Sequence, residues 1–252
     1  MAVVLSNYRE GSFNSLPPFE VAGPSFDKVD GAHIIANSMM PLFRKHSVER
    51  ILGLQLLHHH FKLQPEERLV DFNGTSVPIA LDIDQLSNFT PSVWGIKCDN
   101  TEIELSPLEF ALNSGDSTLD NSSPWSKSNF QELITSKKEF FIEYTQLVRD
   151  LGIDNIFGFA RYPGDGYPGR VEITVGRAHV NLTPTQVDNV LLSHRNKQTD
   201  HMCKGKIYAV GKSREAAWFF TDDFIQHGCR CLCPEKNGVH HGHGSHHITQ
   251  SG

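Results

Sequence analysis

The spacing of apolar positions along the chain changes several times, and each change marks an element. From about Val29 to His46, Ala32, Ile35, Ala36, Met39 and Phe43 recur at helical intervals, and Pro41 predicts a kink or division there. The strongest helical stripe runs from Ser128 to Gly152 through Phe130, Leu133, Ile134, Phe141, Tyr144, Leu147, Val148 and Leu151. Ser128 with Gln131 reads as a capping box, and Gly152 supplies the left-handed stop. A further helix is signed at Thr183-Pro184-Thr185-Gln186 and predicted to run to about His194.

Between the helices the apolar runs shorten to strand length. Arg50 to Ala80 reads as two or three strands broken at Pro65-Glu66-Glu67 and Asn73-Gly74, and residues 92 to 112 continue in that style. Strands are also predicted at Val171–Thr174, His179–Asn181, Ile207–Val210 and Ala216–Thr221. Residues 1 to 26 lack sustained periodicity and are expected to form an extended lead-in. The polar run 113 to 128 reads as an exposed connection, either a half-boundary or a long loop.

One comparison organises these elements. Ile51-Leu52-Gly53-Leu54 after the first helix matches Ile156-Phe157-Gly158-Phe159 after the long one, and each is followed by a strand pair. The expected fold is therefore α+β: an antiparallel sheet covered by helices, built from two duplicated α-β-β units. The expected organisation is a lead-in over 1–26, an α/β domain over 27–222 and a disordered Cys/His-rich tail over 223–252.

Composition narrows the class. The chain has 252 residues with 38% hydrophobic and 21% charged content, enough to bury a core without disulfides. A net charge of −6 provides no basic footprint for nucleic acid. No stretch reaches the roughly 20 apolar residues of a membrane helix, and the N-terminus lacks a signal-like core, so a cytoplasmic protein is expected. Five cysteines, three of them in Cys229-Arg230-Cys231-Leu232-Cys233, read as free thiols or metal ligands.

Nine of the 14 histidines fall in two clusters. In Leu56-Leu57-His58-His59-His60-Phe61, an extended backbone projects His58 and His60 together and His59 the opposite way. Two such imidazoles form a workable chelate for a divalent transition metal (zinc, iron or copper), with His179, His194, His201, Asp71 and Glu172 as candidates for a third ligand. The bland alternative is a polar strand end at the sheet surface. The second cluster joins His227 and Cys229, Cys231 and Cys233 to the histidines from His240 to His247, with His201 and Cys203 as further donors. Its composition suits soft metals, but its spacing is not that of a zinc finger. It reads equally as free thiols on a flexible end.

The Gly/Pro-rich stretch 161 to 169 lacks the Lys-Ser/Thr of a phosphate loop and reads as a wide hairpin loop; Arg161, Tyr162, Asp165 and Tyr167 are its candidate ligand-binding residues. Two functions follow. One is a metal-dependent enzyme built on His58 and His60. The other is a non-catalytic domain that binds a small molecule or protein and whose Cys/His tail chelates metal.

Overall fold

The computed structural model describes residues 1–72, 74–80, 89–99, 101–112, 127–187, 213–220, 225–232, 235–236 and 239–240. The N-terminal part contains β1 (Ala2–Leu5), α1 (Glu10–Asn14), α2 (Phe19–Lys28), α3 (Gly31–Ile34), a π-helical turn (Ile35–Met39) and α4 (Met40–Lys45). Five strands follow: β2 (Leu52–Leu56), β3 (Glu67–Asp71), β4 (Thr75–Ala80), β5 (Phe89–Cys98) and β6 (Glu102–Leu112). After α5 (Lys127–Ser136) and α6 (Lys138–Asp150) come five more: β7 (Phe157–Arg161), β8 (Arg170–Val175), β9 (Ala178–Leu182), β10 (Ser213–Phe220) and β11 (Ile225–Leu232). A short hairpin pairs β12 (Glu235–Lys236) with β13 (Val239–His240).

The strands run in the order β6-β3-β4-β9-β8-β11-β10-β2-β7-β5, and β5 pairs back onto β6. The result is a closed ten-stranded barrel, with β1 added along the first half of β6. This overturns the expected antiparallel sheet covered by helices. Two pairings within the ring, β3–β6 and β8–β11, are parallel. Closure removes the sheet edges that an open sheet would leave to be covered. Local apolar spacing reports strands but carries nothing about which strand closes on which.

The Cys/His-rich segment expected as a disordered tail contributes β11, paired on both sides inside the ring. The N-terminal lead-in is likewise structured, with Phe13 and Phe19 each 2% exposed. The expected connection at 113–126, the helix beyond Val187, the strand at 207–210 and the histidines from 241 lie outside the described residues.

The repeating unit is five strands, larger than the α-β-β unit read from sequence. Strands β2 to β6 and β7 to β11 pair by the same rules. Each has an antiparallel hairpin (β3–β4, β8–β9), a bulged antiparallel pair (β5–β6, β10–β11) and one parallel contact. The bulges match: register shifts flank Val93 and flank Ala217, and a tryptophan follows each, Trp94 and Trp218. The halves interleave in the ring: β4 meets β9 through Ser76↔His179, and β2 and β7 meet each other through Leu54↔Phe159 while pairing with β10 through Trp218↔Leu54 and with β5 through Trp94↔Phe159.

The two motif glycines then acquire a common cause. A Cβ on Gly53 would lie 2.5 Å from the Trp218 carbonyl oxygen, and one on Gly158 would lie 2.3 Å from that of Trp94. Each position admits only glycine because a neighbouring backbone passes through the space a side chain would need.

Helices α2 to α6 cover one side of this framework. Met39, Phe43, Phe140, Phe141 and Tyr144 pack with Leu52, Leu54, Leu56, Phe157, Phe159, Trp218 and Phe220 in the main core. The single helix expected from Ser128 to Gly152 is divided at Lys137, and Gly152 ends it at φ +63. A second apolar cluster joins Phe13, Leu57, Phe61, Leu63, Leu69 and Leu108.

Candidate metal centre

Beyond Leu56 the chain leaves β2 but stays extended, held by an N-terminal strap. The His59 N–H donates to the Pro17 carbonyl at 3.0 Å, and the Phe19 N–H donates to the His59 carbonyl at 3.1 Å. This pairing fixes the alternation of the three histidines. His58 and His60 turn to one side, where their Nε2 atoms stand 3.2 Å apart. The Phe19 ring lies against both, with centroids at 4.9 and 5.2 Å. His59 faces Phe13, 6.4 Å between rings, and neither of its ring nitrogens has a hydrogen-bond partner among the described residues.

Two further donors come from the barrel wall. In the parallel pair β8–β11, Glu172 and Cys231 are register partners. Glu172 Oε1 lies 2.9 Å from His60 Nε2, and the Cys231 thiol donates to the same oxygen at 3.4 Å while standing 3.7 Å from His58 Nε2. One donor atom from each of His58, His60, Glu172 and Cys231 falls within 4.8 Å of all the others, so the four could hold a metal ion. Bonds of about 2.0–2.3 Å in a tetrahedron require donor separations of roughly 3.3–3.8 Å, and this cluster needs only small adjustments to meet them.

The tautomers and charges suit metal binding. His58 Nδ1–H donates to the Leu56 carbonyl at 2.8 Å, leaving the Nε2 lone pair toward the cluster. Burial, helped by the neighbouring His60, pushes the His58 imidazole down to about 3, so it is neutral. Burial acting alone would raise the Glu172 carboxyl, but His179, His60 and His58 outweigh it and hold the group ionised, well below the usual range. His179 Nδ1 sits 3.6 Å from Glu172 Oε2, behind the donor oxygen, and burial lowers this imidazole to about 4.

A small pocket opens against the cluster, lined by His58, Glu172, His179, Gln55 and Glu109 among others. Glu109, on β6, has no ion-pair partner among the described residues. Burial first, then the charges of Glu172 and Asp71, push its carboxyl up to about 8, so it is a neutral acid near pH 7. Sequence reading missed Glu109, although its place between Leu108 and Phe110 in an apolar strand was a signal available from sequence.

The remaining candidates fall elsewhere. Cys229 lies on β11 with its thiol 3.6 Å from Asn181 Oδ1, and Cys233 lies outside the described residues. Asp71 caps the Gly74 N–H at 2.6 Å. Tyr162 donates to Asp165 at 2.6 Å, and Arg50 donates to both, to the tyrosine oxygen at 3.0 Å. Tyr162 and Tyr167 meet the Phe219 ring edge-on at 6.0 and 5.8 Å. Arg161 ends β7, and burial lowers its guanidinium. Neither the pocket above nor a second one, lined by Leu16, Leu57 and Gly95 among others, is lined by any of these four loop residues.

The geometry defines a closed mixed β-barrel carrying a two-histidine, one-carboxylate, one-thiol cluster. No family model matches the chain, and no curated protein or solved structure is similar to it. Among the described residues no helix is long and apolar enough to cross a membrane.

Proposed function

We propose that the protein is a metal-dependent enzyme whose metal is held by His58, His60 and Glu172, with the Cys231 thiolate at a fourth position that water or substrate can take. The observation that carries this reading is the convergence of two imidazoles, an ionised carboxylate and a thiol beside a pocket that also receives a neutral acid. Two histidines and a carboxylate are the donor set of many iron sites, and the added thiolate favours zinc or iron over hard cations. A metal there would polarise an oxygen-bearing substrate or activate water, and Glu109 would supply or receive a proton across the cavity.

A second reading rests on the count of donors. Four protein ligands complete a tetrahedron, the pattern of a structural centre in a non-catalytic binding barrel. Metal analysis of the full chain, wild type and Cys231→Ala, separates the two. Near-stoichiometric zinc or iron in both supports a three-residue site with a position open to substrate. Metal lost from Cys231→Ala supports the closed structural centre. Metal retained by the His58→Ala/His60→Ala double variant would refute the site altogether.

A further inference from the structure

Three polar groups beside the metal ligands have hydrogen-bonding capacity that no described residue uses. His179 turns Nδ1 toward Glu172 Oε2 at 3.6 Å, and its Nε2 is buried without a partner. Glu109 and Gln55 line the same small pocket as His179, and neither side chain is hydrogen-bonded to a described residue. The strand framework explains why. The register partners of Glu109 are Leu69 on β3 and Val93 on β5, and those of Gln55 are Gly158 on β7 and Ala217 on β10. None of these four carries a polar side-chain atom.

Buried polar groups are almost always hydrogen-bonded, either to protein or to ordered water. The pocket has room for about one water molecule and brings three unpartnered polar groups to it, the two conditions a buried water needs. The hydrogen inventory also closes. Glu109, protonated near pH 7, has an O–H to donate and Gln55 has an amide N–H, while His179, with its Nδ1–H turned to the ionised Glu172, offers the Nε2 lone pair. A single water accepts the first two hydrogens and donates one of its own to the imidazole.

We infer that this pocket is the binding site of one ordered water, which bridges Gln55, Glu109 and His179 and joins Glu109 to the metal ligand Glu172 through the His179 imidazole. The proton that Glu109 exchanges with the centre travels along this chain, and Gln55 is the positioning residue that holds the water in place. Thr174, the register partner of His179, also has a buried hydroxyl without a partner, but it does not line the pocket and lies off the chain. The link to a metal rests on the metal-centre reading; the water site itself stands on the pocket and the three groups that face it.

A high-resolution crystal structure of the zinc-loaded full chain tests the site. It should show one peak without anomalous signal, within about 2.7–3.2 Å of Gln55, Glu109 and His179 Nε2. Glu109→Leu, which suits its apolar neighbours on β3 and β5, should lose the peak; Glu109→Gln, which keeps an N–H to donate, and Thr174→Val should retain it. In solution, the C=O stretch of the protonated Glu109 carboxyl is the infrared band absent from Glu109→Gln, and Gln55→Met should shift it. No peak, a direct hydrogen bond between Glu109 and His179, an anomalous peak from a second metal ion, or a band that Gln55→Met leaves unmoved would each overturn the inference. Zinc counted on the same protein separates the two readings. Zinc without the water peak overturns the water site alone, and the water peak without zinc overturns the metal centre and leaves the water site standing.

Discussion

The halves β2–β6 and β7–β11 share a pairing pattern, down to the bulge before each tryptophan, yet only one supplies the wall of the candidate metal centre. The hairpin registers equate Glu172 with Leu69 and His179 with Ser76, so the first half carries no carboxylate or imidazole at those places. The parallel contacts also differ. Leu69 faces Glu109 across β3–β6, while Glu172 faces Cys231 across β8–β11, a slip of two residues relative to the first half. With the first-half register, Glu172 would face Cys229. A slip of two preserves which face each side chain takes and changes only which cysteine arrives. The strand framework is thus common to both halves, and the chemistry comes from side chains that can differ without disturbing it.

The largest expected effect strikes what the halves share. Gly53→Val and Gly158→Val each place a side chain against a tryptophan carbonyl that cannot move without breaking the ladder. Each should cost about 3 kcal/mol or more, measured by urea denaturation, and the two costs should be similar. Gly95→Ala, at a position with room, should stay within about 1 kcal/mol of wild type in the same assay. A large cost at only one of the two motif glycines would break the equivalence.

The next effect separates the halves. Glu172→Ala should lower metal affinity by more than about 100-fold, and His179→Ala, which removes only the support behind the carboxylate, by roughly 10–100-fold. Ser76→Ala, the first-half counterpart of His179, should leave metal content unchanged. Measured by competition with a chromophoric chelator, an equal loss from Ser76→Ala and His179→Ala would show that the centre is not confined to the second half's wall.

Much of the element content was legible in the sequence, because period-2 runs and turn residues mark strands locally: β3, β4, β8 and β9 all lie within or close to the stretches read as strands. The paired glycines were legible too, although the size of the repeat was not. Barrel closure was invisible, since the β5–β6 pair that completes it looks like any other hairpin, and the parallel β8–β11 contact is non-local. For the same reason His58 and His60 could be paired from their spacing, whereas Glu172 stood as one of five candidates and Cys231 was assigned to a tail. The contact between them exists only once β11 is inserted beside β8.

A smaller effect concerns Glu109, whose counterpart in the bulged pair is Cys229. Its folded carboxyl titrates near 8, against about 4.5 when exposed, so the folded state holds a proton that the unfolded chain releases. Stability is therefore lost as pH rises from about 4.5 through about 8, and nothing is lost below that window. Glu109→Gln removes the penalty while keeping the shape. In chelator-treated protein it should stabilise by on the order of 4 kcal/mol at pH 8 and by nothing at pH 4. Equal denaturation midpoints for variant and wild type at both pH values would show that Glu109 is ionised in the folded protein.

The smallest effect tests the exit from the second half's hairpin. After β9, the Thr183 hydroxyl accepts from the Gln186 N–H at 3.3 Å, and the Gln186 side-chain oxygen accepts from the Thr183 N–H at 2.7 Å, a reciprocal capping box. The box starts the helical turn at 184–187 and fixes where the chain leaves the β9 edge that contacts β4 at Ser76 and His179. Thr183→Ala should cost about 1 kcal/mol. Because the box lies beyond the strands, metal affinity should stay within about twofold of wild type. A larger loss of metal from this substitution would mean that the end of β9 helps to hold His179 against Glu172, extending the centre's support past the barrel wall into the second half's own connection.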